Sequence, residues 1–246
     1  MANHQTVLIL GAGSDMAKAM ARNFAGHGMS LQLAGRNTDQ LERLKKDLAN
    51  RYSVEASVFP FDAADFDSHA NFVRSLPVMP DIVVYAAGVM HEQKDAAAFW
   101  KMSRNMIDVN YSGAVSVLNQ FAEIFGNREK GVIIGISSVA GDRGRGSNYL
   151  YGSTKAAFTA YLSGLRNDLF KKKVQVITVK PGFVYTKMTQ HLDLPARLTA
   201  DPEKVARTVY SALRKGTNVV YVKPVWRWIM QVIKFLPESV FKRTKL

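Results

Sequence analysis

The chain has 246 residues, 47% of them apolar and 22% charged, which is the composition of an ordered globular protein long enough to bury a sizeable core. It contains no cysteine, and this excludes a disulfide scaffold, a thiolate zinc site and a cysteine nucleophile. Thirty-three Lys and Arg against twenty Asp and Glu leave a net charge of +13, which favours an anionic partner: nucleic acid, a phosphorylated ligand or an acidic membrane surface.

The first six residues lead straight into the apolar run 7–10, which is too short for a signal peptide and has no basic stretch before it. No run approaches the roughly 20 apolar residues that span a bilayer. The expected location is the cytoplasm, with peripheral attachment to the cytoplasmic membrane face as the variant of it.

Strand candidates follow at 6–10, 31–34, 54–59, 82–86, 132–136, 174–179 and 219–222. Most are near-continuous β-branched or leucine runs, as strands buried on both faces should be. Helix-period stretches lie between them near 15–26, 38–50, 65–76, 95–125, 153–170 and 202–215. This alternation predicts an α/β, doubly wound Rossmann-type fold, with a parallel sheet of about seven strands and helices on both faces. Residues 1–223 read as one catalytic domain and 224–246 as an apolar, basic helical extension. The stretch 185–201 has no clean period, and a loop this long inside a domain reads as a lid or binding loop.

The first strand runs into Gly11-Ala-Gly13-Ser14-Asp15-Met16 and then a helix. Glycine there permits a tight turn and lets backbone N–H groups approach a pyrophosphate, which the helix N-terminus also favours. Gly11, Gly13, Ser14, Asp15 and Met16 are therefore candidate nucleotide-binding residues. The other reading is an ordinary strand-to-helix turn with Ser14 or Asp15 as N-cap. At the end of the second strand no acid occurs between Met29 and Thr38, and Arg36 stands where an acid would hold a ribose 2′-hydroxyl. An arginine there accommodates a 2′-phosphate, so the expected cofactor is NADPH, with NADH the alternative. Arg36 opening a solvated helix face is the competing reading.

Tyr151 and Lys155 lie four apart at the start of a helix pattern, which puts both side chains on one face. An adjacent ammonium favours the phenolate and is expected to lower the tyrosine pKa from its usual ~10. Such a tyrosine can protonate a carbonyl oxygen as hydride arrives. Ser137 and Ser138 end a buried strand, where ligands bind in open α/β sheets. Asn110 sits near Gly113 in a long helical stretch and marks a candidate helix break.

Over residues 5–222 the chain resembles the short-chain dehydrogenase/reductase family. The resemblance implies that Ser138, Tyr151 and Lys155 are the catalytic serine, tyrosine and lysine, and that Asn110 is the fourth catalytic residue, which supports a proton relay. It further implies that Pro181, Gly182 and Thr186 contact the nicotinamide, that Asp62 holds the adenine, and that Ala87 and Gly88 lie beneath the cofactor. Lys155 would also hold the nicotinamide ribose. Asp15 and Ala17 stand where the family usually has glycine, and Tyr85 where it usually has asparagine. A carboxylate at 15 must point away from the pyrophosphate or repel it. The family also implies a homodimer or homotetramer, built on the helices near 110–125 and 153–170.

From Pro224 onward the chain carries two tryptophans, six further apolar residues in the next eight positions and a basic end at Lys242, Arg243 and Lys245. As one helix it would place Arg227, Gln231, Lys234 and Glu238 on a narrow polar stripe. Interfacial aromatics beside basic groups suit an anionic bilayer, and packing on the body or on a second subunit is the competing reading. Residues 137–155 and the Trp-Arg-Trp-Ile-Met tail are similar to the branch of the family that contains the reductase subunit of the decaprenylphosphoryl-ribose 2′-epimerase. That resemblance implies a lipid-linked 2-keto-pentofuranose as the ketone, with a flavoprotein oxidase as the partner that supplies it. Arg143, Arg145, Lys187 and Arg197 are then candidates for its phosphate.

Two alternatives remain: a soluble carbonyl reductase of a 3-oxoacyl, steroid-like or small ketone, and a non-catalytic nucleotide-sensing or nucleic-acid-binding protein. The latter needs stacking aromatics among exposed basic groups, and none cluster outside the tail, so no nucleic-acid partner is expected. His4, His27, His69, His91 and His191 are scattered, and no metal site is expected. His191 alone falls in the 185–201 loop.

Overall fold

The computed structural model describes residues 5–190 and 192–244. Its strands are β1 (Thr6–Leu10), β2 (Ser30–Gly35), β3 (Ala56–Pro60), β4 (Ile82–Tyr85), β5 (Gly131–Ile136), β6 (Val174–Pro181) and β7 (Val219–Val222). All pair in parallel, in the order β3-β2-β1-β4-β5-β6-β7. The chain builds outward from β1 to β3, then crosses back to lay β4 against β1. Strand order therefore reverses between β1 and β4, where the carboxyl ends leave a crevice.

The helices in the first half are α1 (Asp15–Gly26), α2 (Thr38–Tyr52), α3 (His69–Ser75), α4 (Gln93–Ala98), α5 (Trp100–Ile107) and α6 (Gly113–Asn127). The second half adds α7 (Tyr149–Leu169), α8 (Pro202–Lys215), α9 (Val225–Phe235) and α10 (Glu238–Phe241). Alternation along each strand divides the core. Val7 and Ile9 of β1 face one layer with Met20, Phe24 and Val209, while Leu8 and Leu10 face the other with Phe121, Phe125 and Leu162. Both faces of β1 are thus dry, and each such side chain stabilises the fold by about 1.5–3 kcal/mol.

The predicted strands and most helices fall where the periodicity places them. The stretch 95–125 is the main departure, because it is four pieces instead of one helix. Phe99 is extended (φ −117°, ψ 100°) and separates α4 from α5. Residues Asp108–Ser112 then widen into a π-helical turn before α6. Gly113 explains the break: a Cβ there would lie 1.9 Å from the Ala63 carbonyl oxygen, so the backbones touch directly. The helix carrying Tyr151 also begins earlier, at Tyr149, because the Gln93 side-chain oxygen accepts the Leu150 N–H at 3.1 Å.

The 185–201 loop is pinched at its base by a bridge between Val184 and Ala200 and by the Tyr185 N–H donating to the Ala200 carbonyl at 3.0 Å. The C-terminal extension is not one helix. Leu236 and Pro237 end α9, since proline cannot continue a helix, and Glu238 leaves the expected polar stripe. Trp226, Met230 and Ile233 bury against Val139, Phe183 and Leu198, so one face of α9 packs on the body. Among the described residues no helix is long and apolar enough to cross a membrane.

Candidate active site

A cleft of about 300 Å³ opens at the strand-order reversal. Gly11, Gly13, Ser14, Arg36, Asp62, Ala87 and Gly88 line it, joined by Asn37, Gln40, Phe61 and Val89, which sequence reasoning did not name. Gly11 has φ +84°, and a Cβ on it would lie 2.5 Å from the Ala87 backbone nitrogen. The glycine is thus required by a close approach between the end of β1 and the end of β4. The N-cap reading of the turn is borne out. Ser14 caps α1 through the Ala17 N–H at 3.2 Å, and the turn still lines the cleft. Arg36 precedes α2, whose cap is Asn37 accepting the Gln40 N–H at 3.0 Å. Arg36 is exposed along the cleft wall, which leaves its guanidinium open to an anion there.

Met16 is half-buried against the core and is not part of the cleft lining. Asp15 is not among the residues that line the cleft. Its carboxylate accepts the Lys187 backbone N–H at 2.8 Å, tying the first turn of α1 to the 185–201 loop. Thr186 lies beside that contact, its hydroxyl 3.2 Å from the Thr189 hydroxyl. Pro181 closes β6, and Gly182 leaves room for another side chain: a Cβ there would lie 2.0 Å from the Trp226 indole nitrogen.

The four candidate catalytic residues converge beyond Gly88, where an added Cβ would sit 3.4 Å from both Asn110 Oδ1 and Lys155 Nζ. Asn110 lies in the π-helical turn and is fully buried. Its oxygen accepts the Val89 N–H at 2.8 Å, and its amide donates to the Val89 carbonyl at 2.9 Å and to Thr154 Oγ1 at 3.0 Å. Thr154 is therefore a support that four-residue matching overlooked. Ser138 follows β5 and its hydroxyl accepts the Ala140 N–H at 3.1 Å. A hydrogen bond joins Ser138 to the Tyr151 hydroxyl.

Lys155 is buried, donates to the Ile136 carbonyl at 3.0 Å and stands 5.8 Å from the centre of the Tyr151 ring. Burial holds its pKa down at about 8. The Tyr151 phenol moves the other way from the sequence expectation. Burial pushes it up to about 12, and the Ser138 hydrogen bond offsets only part of that. Desolvation of the phenolate outweighs the nearby ammonium, which is itself partly neutralised by burial.

Arg143 is a correction among the phosphate candidates. Its guanidinium donates to the carbonyls of Ile233 at 2.6 Å and Leu236 at 2.7 Å, pairs with Glu238 at 2.9 Å and lies 3.8 Å above the Phe241 ring. It is committed to the end of α9. Arg145 is half-buried, its Nε without a hydrogen-bond partner among the described residues, and desolvation lowers its pKa. Of the histidines, His69 is buried between Ser116 and the Asp62 carbonyl, His27 stacks on Tyr210 and His91 meets Asn105. His4 and His191 lie outside the described residues.

Residues 5–196 match the family model described as short chain dehydrogenase. The chain belongs to the short-chain dehydrogenase family. A protein of Mycobacterium tuberculosis described as an uncharacterized oxidoreductase is 32% identical over 240 residues, 96% of each chain. A short-chain dehydrogenase from Sphingobium yanoikuyae, solved in complex with NADPH, superposes with a TM-score of 0.82 at 20% identity, covering 96% of this chain and 97% of that one. A short-chain dehydrogenase from Burkholderia cenocepacia, solved in complex with NADP, gives 0.84 at 19% identity, with 98% and 97% covered. The family is one of oxidoreductases acting on alcohol and ketone groups, and the seven-stranded doubly wound sheet is its fold.

Proposed function

We propose that this protein is an NADPH-dependent reductase that converts a ketone to a secondary alcohol, with Tyr151 as the acid. The observation that carries this is the convergence of Ser138, Tyr151, Lys155 and Asn110 beside Gly88, a glycine that lines the same cleft as Arg36. The cleft suits a dinucleotide phosphate, because the glycine turn at Gly11 and Gly13 and the Ser14 cap at the start of α1 line it beside the exposed Arg36. Gly11, Gly13 and Ser14 would cradle the pyrophosphate, Asp62 the adenine, and Arg36 the 2′-phosphate.

When bound, the nicotinamide supplies the hydride. Tyr151, held neutral by burial at physiological pH, carries the proton that the carbonyl oxygen needs. Ser138 orients that oxygen and stabilises its growing charge. Lys155, buried with a pKa of about 8, is poised to return a proton toward Tyr151. Asn110 holds the segment through which the proton is replaced, its side chain locked by Val89 and Thr154.

The substrate we infer is a polyprenyl-phosphoryl 2-keto-pentofuranose, supplied by a flavoprotein oxidase and reduced at the cytoplasmic membrane face by a homo-oligomer joined through α6 and α7. The resemblance of residues 137–155 and of the tail supports it, as does the net charge of +13. Arg145 is the candidate we favour for the phosphate, being half-buried with its Nε unpartnered among the described residues. The test is NADPH oxidation with the lipid-linked ketosugar, the same ketosugar phosphate without its lipid, and a simple soluble ketone, with Tyr151→Phe as control. Turnover of the lipid-linked compound alone supports this reading. Efficient reduction of only the simple ketone would retain the reductase and discard the lipid-linked substrate.

A further inference from the structure

Helix α9 divides into three strips. Trp226, Met230 and Ile233 form the buried one, and Arg227, Gln231 and Lys234 an exposed polar one. The third is apolar and faces solvent: Trp228, Val232 and Phe235 are 69%, 65% and 77% exposed, with Val225 beside them. Spacings of four and three keep these side chains on one line. Exposed Lys242 and Arg243 follow at the end of α10, and the one acid of the segment, Glu238, is paired with Arg143.

The inner strip is fastened to both segments that flank the site. Arg143, five residues after Ser138, holds the carbonyls that end α9. Trp226 donates from its indole nitrogen to the Leu198 carbonyl at 3.0 Å and packs edge-on against Phe183, at the two ends of the 185–201 loop. An element pinned this firmly on one side and left apolar on the other has a second surface to cover.

We propose that the outer strip of α9 docks on an anionic bilayer, lying in the interface plane with Trp228, Val232 and Phe235 among the acyl chains. Arg227, Lys234, Lys242 and Arg243 meet the headgroups. A tryptophan-bearing apolar line flanked by cations is the pattern of an interfacial helix. A second copy fits less well. Two-fold pairing of the strip would bring like charges together, and an eleven-residue helix offers far less than the roughly 800 Å² per partner of a stable interface. Because α9 is fastened to both flanking segments, docking would set the mouth of the site at the bilayer. The docking surface leans on the reductase reading only in where it delivers the substrate. Vesicle binding needs no turnover, so each can fail alone.

The test is co-sedimentation of the full chain with phosphatidylcholine vesicles, with and without 30% phosphatidylglycerol, alongside Trp228→Glu/Phe235→Glu. Both positions are exposed, so the variant should keep its melting temperature and its affinity for NADPH. Binding that rises about tenfold with the anionic lipid, falls in high salt and drops at least tenfold in the variant is the expected result. Brominated lipid should quench the emission of the wild type and not that of Trp228→Phe. No vesicle binding by the wild type, equal binding by the variant, or a change of oligomeric state in the variant in place of a change in lipid binding would each overturn the proposal.

Discussion

Tyr85 reaches from the end of β4 to the π-helical turn, its hydroxyl donating to the Val109 carbonyl at 2.5 Å. That carbonyl belongs to the widened turn, and with Tyr85 and Val109 both buried the bond is made away from water. The next residue is Asn110. At a position where the family usually has asparagine, this chain thus uses a tyrosine to hold the turn that positions a candidate catalytic residue. Burial and the nearby Asp62 raise its pKa, so the hydroxyl keeps its proton and remains a donor.

Tyr85→Phe should therefore remove a buried hydrogen bond to the Val109 carbonyl, at a cost of about 0.5–1.5 kcal/mol. The expected kinetic result is a several-fold loss of kcat with KM for the ketone nearly unchanged, because Asn110 lies away from the cleft opening. Thermal melting checks the first part and steady-state kinetics the second. Unchanged kcat in a destabilised protein would reduce Tyr85 to a purely structural role.

Asp15 lies in the first turn of α1, the helix proposed to face the pyrophosphate, and its carboxylate accepts the Lys187 N–H. Asp15→Asn keeps an oxygen acceptor for that contact and removes the charge. NADPH should bind severalfold tighter in the variant, more so at low salt, as screening of a like-charge repulsion requires. Asp15→Ala loses the tether as well, and should raise KM for the ketone through a loosened 185–201 loop. Titration calorimetry at two salt concentrations separates the effects.

Arg36→Asp tests the nucleotide preference. The variant removes a guanidinium from the cleft wall and supplies an acceptor for a ribose 2′-hydroxyl. The ratio of kcat/KM for NADPH over NADH should fall by at least tenfold. An unchanged ratio would mean that the 2′-phosphate lies elsewhere on the wall.

How much of this was legible in the sequence depends on whether the cause is local. The strands were readable because most are short, near-continuous runs of branched residues, and the Gly11 turn because its glycine sits between strand and helix. Tyr151 and Lys155 were readable as a pair because four residues span one helical turn. The breaks within 95–125 were only hinted at by Asn110 and Gly113, since the contact that forces them is with Ala63, fifty residues away. Arg143 looked like a phosphate ligand because its partners, the carbonyls ending α9, are backbone groups ninety residues distant. The direction of the Tyr151 pKa shift was misread for the same reason: the sequence displays the neighbouring lysine but not the burial that opposes it.

Lys155 gives a pH dependence with a definite sign. Its folded pKa of about 8 lies below the ordinary lysine value of 10.5, so between those limits the unfolded chain binds the extra proton. Stability contributed by this group therefore rises with pH from about 8 to 10.5, and at pH 7 the folded state bears the whole penalty of a buried ammonium. That penalty is of order 3 kcal/mol, against about 1–3 kcal/mol for leaving the Ile136 carbonyl unpaired once the ammonium is gone. The two nearly cancel at pH 7, so Lys155→Met should melt close to the wild type there while losing activity by several orders of magnitude. The decisive quantity is the difference between the two melting temperatures as pH rises. The wild type should gain on the variant from pH 8 to 10, because it sheds its buried charge and the variant has none to shed. Melting curves that run parallel across that range would show that Lys155 titrates as it does in the unfolded chain, and would remove the basis for its role as the proton source behind Tyr151.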